Sequence, residues 1–234
     1  MANVNFFANG LCLICHLAKS ELAEFLQYHT SSEESWSRQN ATLQSELENI
    51  LAKYPEEEHD DIVEYHAWDL HQNQFKFPNI HRESVLIIIY NFLESELNKL
   101  CGVISDSIDH PIHLKDLQGK GIERALLFLT KVAGFDFSSM GKELPYVKNV
   151  NLLRNQIVHN GGILPIEGSN KLNLFVESSQ NLSGQPGSAV RLSSEFVSEF
   201  IENLNGFFGK LEKEVQSFMA RVNAQPGSQE GLRE

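Results

Sequence analysis

Apolar residues recur every three or four positions along most of this chain, the spacing of helices that bury one face. The pattern predicts helices over 10–28, 42–53, 60–74, 81–104, 114–134 and 144–160, and the helix over 114–134 is interrupted near 119–121. In a last helix the apolar stripe runs through Phe196, Phe200, Leu204, Phe207, Phe208, Leu211, Val215, Phe218 and Val222. These elements predict an all-α fold with a buried core.

The periodicity changes after residue 160. Leu172, Leu174 and Val176 alternate with polar neighbours, and a cluster of turn-forming residues occupies 183–188. Alternation is typical of strands, so 161–192 is predicted to be a short β-hairpin or a mobile insertion. Its place directly after a helix makes it a candidate flap over a substrate or a contact for a partner.

We divide the chain into an N-terminal helical extension, 1–78, a helical domain, 79–222, and a disordered tail, 223–234. The longest apolar run, 85–93, is too short to span a bilayer. The first seven residues lack the basic segment and cleavage site of a secretory signal. We therefore expect a cytoplasmic protein without a membrane partner.

The net charge of −12 is unevenly distributed. Residues 33–64 hold ten acidic and two basic side chains, whereas 115–154 hold seven basic and four acidic ones. The acidic stretch is either a solvated helix face or a surface that recruits a basic partner or repels nucleic acid. The basic stretch is the part of the chain that favours a phosphate ligand.

Cys12, Cys15 and Cys101 are too few for a disulfide framework. Cys12 and Cys15 have the spacing of a haem attachment, but a buried place on an N-terminal helix fits them better. The sequence predicts no cofactor and no metal site. Its scattered histidines are interpreted as structural: His59, His66, His71 and His81.

The strongest functional pattern lies in the helix that begins near Pro145 and ends at Gly161 and Gly162. Arg154, Asn155 and His159 fall within its last turns. They supply a permanent cation, an amide and an imidazole that titrates near neutral pH. These are the groups that a protein needs to cleave RNA without a metal.

A helical wheel places Lys148, Asn151, Asn155 and His159 on one polar arc, so Lys148 and Asn151 are candidates for substrate binding. Arg154 falls within the apolar arc. A guanidinium there needs an anionic or carbonyl partner, because its burial without one is costly. A phosphate would satisfy it.

The same residues also fit a structural arrangement. Arg154 would then pair with an internal carboxylate, for which Glu94 and Glu96 are candidates, and His159 would interact with the helix dipole at the C-terminus. Spacing alone leaves both interpretations open.

The run from Leu153 to His159 resembles the signature of HEPN (higher eukaryote and prokaryote nucleotide-binding) domains, in which Arg is followed by a polar residue and, four to six positions on, by His. The helix over 82–101 is similar to the long core helix that precedes this signature in bacterial members. The resemblance covers about 80 to 220 of the chain.

This resemblance implies a helical bundle that forms a homodimer, with two signature helices building one composite site. It implies a metal-independent endoribonuclease of a toxin or antiphage system, with Arg154, Asn155 and His159 as catalytic residues. RNA would be the substrate, and an antitoxin or sensor protein a possible partner. Other members are silent scaffolds that bind nucleotide or a protein, and the same resemblance allows that alternative.

Overall fold

Helices provide nearly all the regular structure in a computed structural model of the protein, which describes residues 6, 10–108 and 110–224. The α-helices within these residues are α1 (Ile14–Leu51), α2 (His59–His71), α3 (Phe77–Ile108), α4 (Gly121–Lys131), α5 (Glu143–Asn160), α6 (Lys171–Ser178) and α7 (Ser194–Asn223). Two short strands, β1 (Leu182–Ser183) and β2 (Arg191–Leu192), pair antiparallel. The predicted all-α class is confirmed, and a short hairpin follows α5.

The N-terminal segment differs from its prediction. Helices over 10–28 and 42–53 are in fact one continuous helix, α1, of 38 residues. The stretch between them is polar and carries no apolar stripe, so periodicity gave no signal there. It also contains no glycine or proline, and nothing in it interrupts the helix.

Pro78 does not end the helix that precedes it, so the predicted break at Phe77 and Pro78 is wrong. A π-helical turn over Gln72–Lys76 joins α2 to α3, and the Phe77 N–H donates to the carbonyl of Gln72, five residues earlier. Proline has no N–H and crowds the carbonyl four residues before it. The widened turn lies where that crowding occurs.

The predicted strand pattern at 172–176 is also wrong, because these residues form α6. The Asn170 side chain caps this helix by accepting from the Leu172 N–H at 2.9 Å. Leu172, Phe175 and Val176 are buried, which is a helical spacing, whereas Leu174 is 52% exposed. Alternation over five residues fits both periods.

The structure divides into two compact units. One comprises 1–23, 88–151 and 200–234, and the other comprises 24–87 and 152–199. Each takes residues from both sides of residue 78, so the domains assigned from sequence stay a prediction. Of the predicted tail, only Asn223 and Ala224 are among the described residues; 225–234 and most of the first seven residues lie outside them.

The first unit has an aromatic core along α7. Phe218 packs against Phe6 and Phe135, with ring centroids 6.4 and 6.1 Å apart, and Phe200 packs against Tyr146 at 6.4 Å. At its edge the Lys210 Nζ lies 2.6 Å from the Glu143 carboxylate. The predicted stripe on α7 is therefore core, apart from the half-buried Val222.

The second unit packs α6 and the hairpin against the start of α7. Phe175 meets Phe196 edge-on at 6.3 Å, and Leu182, Val190 and Leu192 are buried. The described residues contain no helix with the length and apolar character needed to cross a bilayer.

Candidate functional site

The helix that carries the predicted catalytic residues, α5, ends as its sequence predicts. Gly161 and Gly162 have φ of 59° and 74°, the left-handed region where glycine avoids a Cβ clash. The Gly162 N–H donates to the Gln156 carbonyl at 3.1 Å, which closes the last turn. The Gln156 amide also donates to the Ile163 carbonyl. The end of α5 is thus held by both backbone and side-chain bonds.

Arg154, Asn155 and His159 lie in the last two turns of α5. The Arg154 Nη1 donates to the Asn155 Oδ1 at 2.9 Å, and both side chains are half-buried. His159 is exposed. The structure therefore joins the guanidinium to the amide and presents the imidazole to solvent.

The apolar arc of α5 is only partly covered. Val147, Val150, Leu153 and Ile157 are buried, but Val158, which directly follows Ile157, is 46% exposed. Leu152 is 39% exposed as well. The end of α5 thus exposes apolar side chains beside its polar ones.

The residues predicted to bind substrate lie one and two turns earlier on α5. Lys148 is exposed and Asn151 is half-buried, and both belong to the first unit. Glu96 in that unit lies 3.6 Å from the Lys99 Nζ, and the Glu94 carboxylate lies beside Gly121. A role for any of them in the site stays a prediction.

The segment after α5 is fastened to the hairpin. The Val190 N–H donates to the Gly162 carbonyl at 2.9 Å, and the Leu164 N–H donates to the Ser188 carbonyl at 2.9 Å. The buried amide of Asn173 donates to the carbonyls of Pro165 and Glu167 at 2.8 and 2.7 Å. The hairpin starts from an anchored turn, and its role as a flap stays a prediction.

Comparison of the chain with models of protein families, with curated proteins and with solved structures gives no match.

Glu83 on α3 is a residue near the end of α5 that sequence reasoning missed. A Cβ on Gly162 would lie 3.8 Å from its Oε1, and the Asn79 amide donates to that oxygen at 2.7 Å. Burial raises the pKa of Glu83 above its ordinary value, against the opposing effect of the Asn79 hydrogen bond. Its only sequence signal is the spacing of four from Asn79, which many surface pairs share.

A histidine pair is a second feature that the sequence did not reveal. The Nδ1 of His29 lies 3.2 Å from the Nε2 of His81, and the Nε2 of His29 donates to the Ser194 carbonyl at 3.0 Å. This fixes the His29 tautomer, so Nδ1 accepts from His81. His81 is therefore not isolated in the structure. Its partner His29 is 52 residues earlier in the chain, so the sequence did not reveal the pair.

Glu33 completes the group of His29 and His81 that could hold a metal, since their ligand atoms lie within 4.8 Å of one another. However, Arg82 donates from Nε and Nη2 to both Glu33 oxygens at 2.7 and 2.6 Å. A metal on this carboxylate would lie beside a permanent cation. Hydrogen bonds and the ion pair already account for every member of the group.

Cys15 occupies the buried position on α1 that is predicted for it, whereas Cys12 is half-buried and precedes α1. Cys101 is buried as well. Burial raises the pKa of the Cys15 and Cys101 thiols to about 12. Metals and haem-attachment chemistry use the thiolate or a reactive thiol, which burial disfavours at both positions.

Proposed function

We propose that this protein is a metal-independent endoribonuclease of a bacterial toxin or antiphage system. The observation that carries the proposal is the end of α5, where a guanidinium bonded to an amide and an exposed imidazole lie within six residues. The likeness of this segment to the HEPN signature supports the same reaction class.

In the proposed reaction the ribose 2′-hydroxyl attacks the adjacent phosphorus. The bond from the 2′ oxygen to phosphorus forms while the bond to the 5′ oxygen breaks, giving a 2′,3′-cyclic phosphate and a free 5′-hydroxyl. His159 takes up the 2′-hydroxyl proton or delivers one to the 5′ oxygen, which contributes about 10² to 10⁴ in rate. Arg154 neutralises charge on the phosphoryl oxygens.

Asn155 has a positioning role in this mechanism. Its side-chain oxygen accepts from Nη1 of Arg154, which limits the rotamers of the guanidinium before a phosphate binds. It is also four residues before His159, so the amide and imidazole share one face of α5.

Arg154 and His159 are five residues apart, which separates them by about 140° around the helix axis. We propose that a second copy of the chain supplies the complementary group, so that Arg154 of one α5 and His159 of another act on one phosphate. The exposed Leu152 and Val158 on the same turns are suitable for such a contact.

The alternative is a catalytically silent scaffold that binds nucleotide or a protein partner through the same surface. It is favoured by the net charge of −12, which opposes association with RNA. In that case Arg154 and Asn155 would bind a ligand without cleaving it.

Induced expression in bacteria separates the two functions. We expect the wild-type chain to arrest growth and both Arg154→Ala and His159→Ala to relieve the arrest. The matched control is His16→Ala, an exposed histidine on α1, which should arrest growth like the wild type. Circular dichroism establishes that each variant folds. Equal arrest by folded His159→Ala and wild type would contradict the nuclease and favour the scaffold.

A further inference from the structure

Helix α2 turns an acidic and aromatic face to solvent. Asp61, Glu64, Tyr65 and Trp68 have the spacing that places them on one side of α2. Phe75 lies in the π-helical turn that follows α2, with its ring centroid 5.6 Å from that of the exposed His71. Tyr65, Trp68 and Phe75 are 83%, 63% and 52% exposed. We call these five residues the acidic–aromatic face.

The acidic–aromatic face is not the side on which α2 packs. Ile62, His66 and Leu70 recur every four residues on the other side of the helix and are half-buried. The whole stretch from Thr30 to Gln72 contains no buried residue. Trp36 in this stretch packs on Phe77, with ring centroids 5.7 Å apart, whereas Tyr65 and Trp68 are left largely uncovered by the part of the chain that the structure describes.

Tryptophan and tyrosine are the residues that most often anchor protein interfaces, because they bury much area at low entropic cost. A solvent-facing helix side normally carries charged residues instead. Two exposed aromatic residues three positions apart, with a third exposed one seven residues further on, indicate a contact surface.

Charge selects the kind of partner. Asp61 and Glu64 lie within the face, the exposed Glu56–Glu58 turn comes just before α2, and residues 33–64 have a net charge of −8. This charge repels nucleic acid, an anionic membrane and the same face of a second copy. Within the chain, the Lys76 Nζ lies 5.6 Å from the Trp68 ring centroid, so this ring already accepts a cation.

We propose that the acidic–aromatic face binds a basic, amphipathic segment of another protein. Apolar side chains of the partner cover Tyr65, Trp68 and Phe75, and its lysine or arginine side chains pair with Asp61 and Glu64. This interaction is separate from the end of α5 and does not depend on ribonuclease activity.

Trp68 itself reports the binding. The chain has two tryptophans, and Trp36→Phe leaves Trp68 as the only one. Titration of this variant with a helical peptide of leucine and lysine should shift the Trp68 emission to shorter wavelength, because the ring leaves water. A peptide with glutamate in place of lysine should produce no shift. Equal shifts with both peptides would overturn the proposal.

Variants then locate the binding, measured as anisotropy of the labelled lysine peptide. Trp68→Ala with Phe75→Ala, or Asp61→Asn with Glu64→Gln, should weaken binding about tenfold or more. The matched controls are Ile166→Ala with Leu174→Ala, and Glu177→Gln with Glu202→Gln, which change exposed residues elsewhere. They should bind as the wild type does.

Two results would overturn the proposal. One is equal affinity of the face variants and the wild type for the lysine peptide. The other is self-association of the wild type in sedimentation velocity that Trp68→Ala with Phe75→Ala abolishes, since the occupant would then be a second copy of this chain.

Discussion

Arg154 and Asn155 illustrate how neighbouring side chains on a helix prepare each other. The two residues are adjacent in sequence, and the 2.9 Å hydrogen bond from Nη1 of Arg154 to Oδ1 of Asn155 restrains the guanidinium. An arginine held this way loses less rotamer entropy when it meets an anion. The exposed His159 has no such restraint from Arg154, because the two lie about 140° apart.

Gly162 provides a test of the turn that ends α5. Its φ is 74°, and an added Cβ would lie 3.4 Å from the Val190 side chain. We expect Gly162→Ala to lower the free energy of unfolding by about 1–2 kcal/mol. Urea denaturation measures the change. Gly168→Ala is the control, since a Cβ there meets open space and its φ is not in the left-handed region, and an equal loss in both variants would contradict this account.

His81 should make stability depend on pH. Burial, and then the charge of His29, lower the pKa of His81 below its ordinary value of 6.5. As the pH falls below 6.5, His81 therefore becomes protonated more readily in the unfolded chain than in the folded one. The stabilisation by neutral His81 is present above this pH and is lost as the pH falls through the folded pKa.

The measurement is the free energy of unfolding of wild type and His81→Gln from about pH 7.5 to about pH 5, a range that includes the ordinary histidine pKa. Glutamine keeps a donor for His29 but does not titrate, so the variant should lose less stability on acidification. His16→Gln, at an exposed position, should follow the wild type. Parallel curves for wild type and His81→Gln would show that His81 does not cause the dependence.

The structural role of a single residue was predictable from the sequence where the pattern that indicates it lies within a few neighbouring residues. The glycine stop of α5 was predictable, because a glycine pair after an amphipathic run has one common structural meaning. The pairing of His29 with His81 and of Glu33 with Arg82 was not. These partners are about fifty residues apart in the chain, and no spacing rule joins them.

At the scale of elements, the helices with clear apolar stripes were predicted and those without were not. α5 and α7 bury residues at spacings of three and four, so periodicity finds them. Residues 30–41 in the middle of α1 have no buried side chain, and periodicity predicts no helix there. The alternation of apolar and polar residues over 172–176, within α6, spans too few positions to distinguish a helix from a strand.

Phe200 tests whether α7 is the core element that its stripe predicts. The side chain is fully buried and packs on Tyr146 with centroids 6.4 Å apart. Phe200→Ala should lower the free energy of unfolding by about 3–5 kcal/mol, because it removes apolar contact and leaves a cavity. Leu174→Ala on α6 is the control at a 52% exposed position, and a comparable loss there would contradict the assignment.

At the scale of the whole molecule, acidic and basic regions are segregated. The acidic stretch 33–64 belongs to the second unit, whereas most of the basic stretch 115–154 belongs to the first. Arg154, Asn155 and His159 belong to the second unit as well, so the proposed phosphate site shares its unit with the acidic stretch and not with most of the basic one. The uneven distribution of charge is predictable from the sequence, but the division into units is not, since each unit combines distant segments of the chain.

The most direct test of the central claim is cleavage of an RNA oligonucleotide by the purified protein in the presence of a metal chelator. The account predicts fragments that end in a 2′,3′-cyclic phosphate, no cleavage of DNA of the same sequence, and a rate about 10² to 10⁴ lower for His159→Ala. Unchanged RNA cleavage by folded His159→Ala, or cleavage of the DNA, would contradict it.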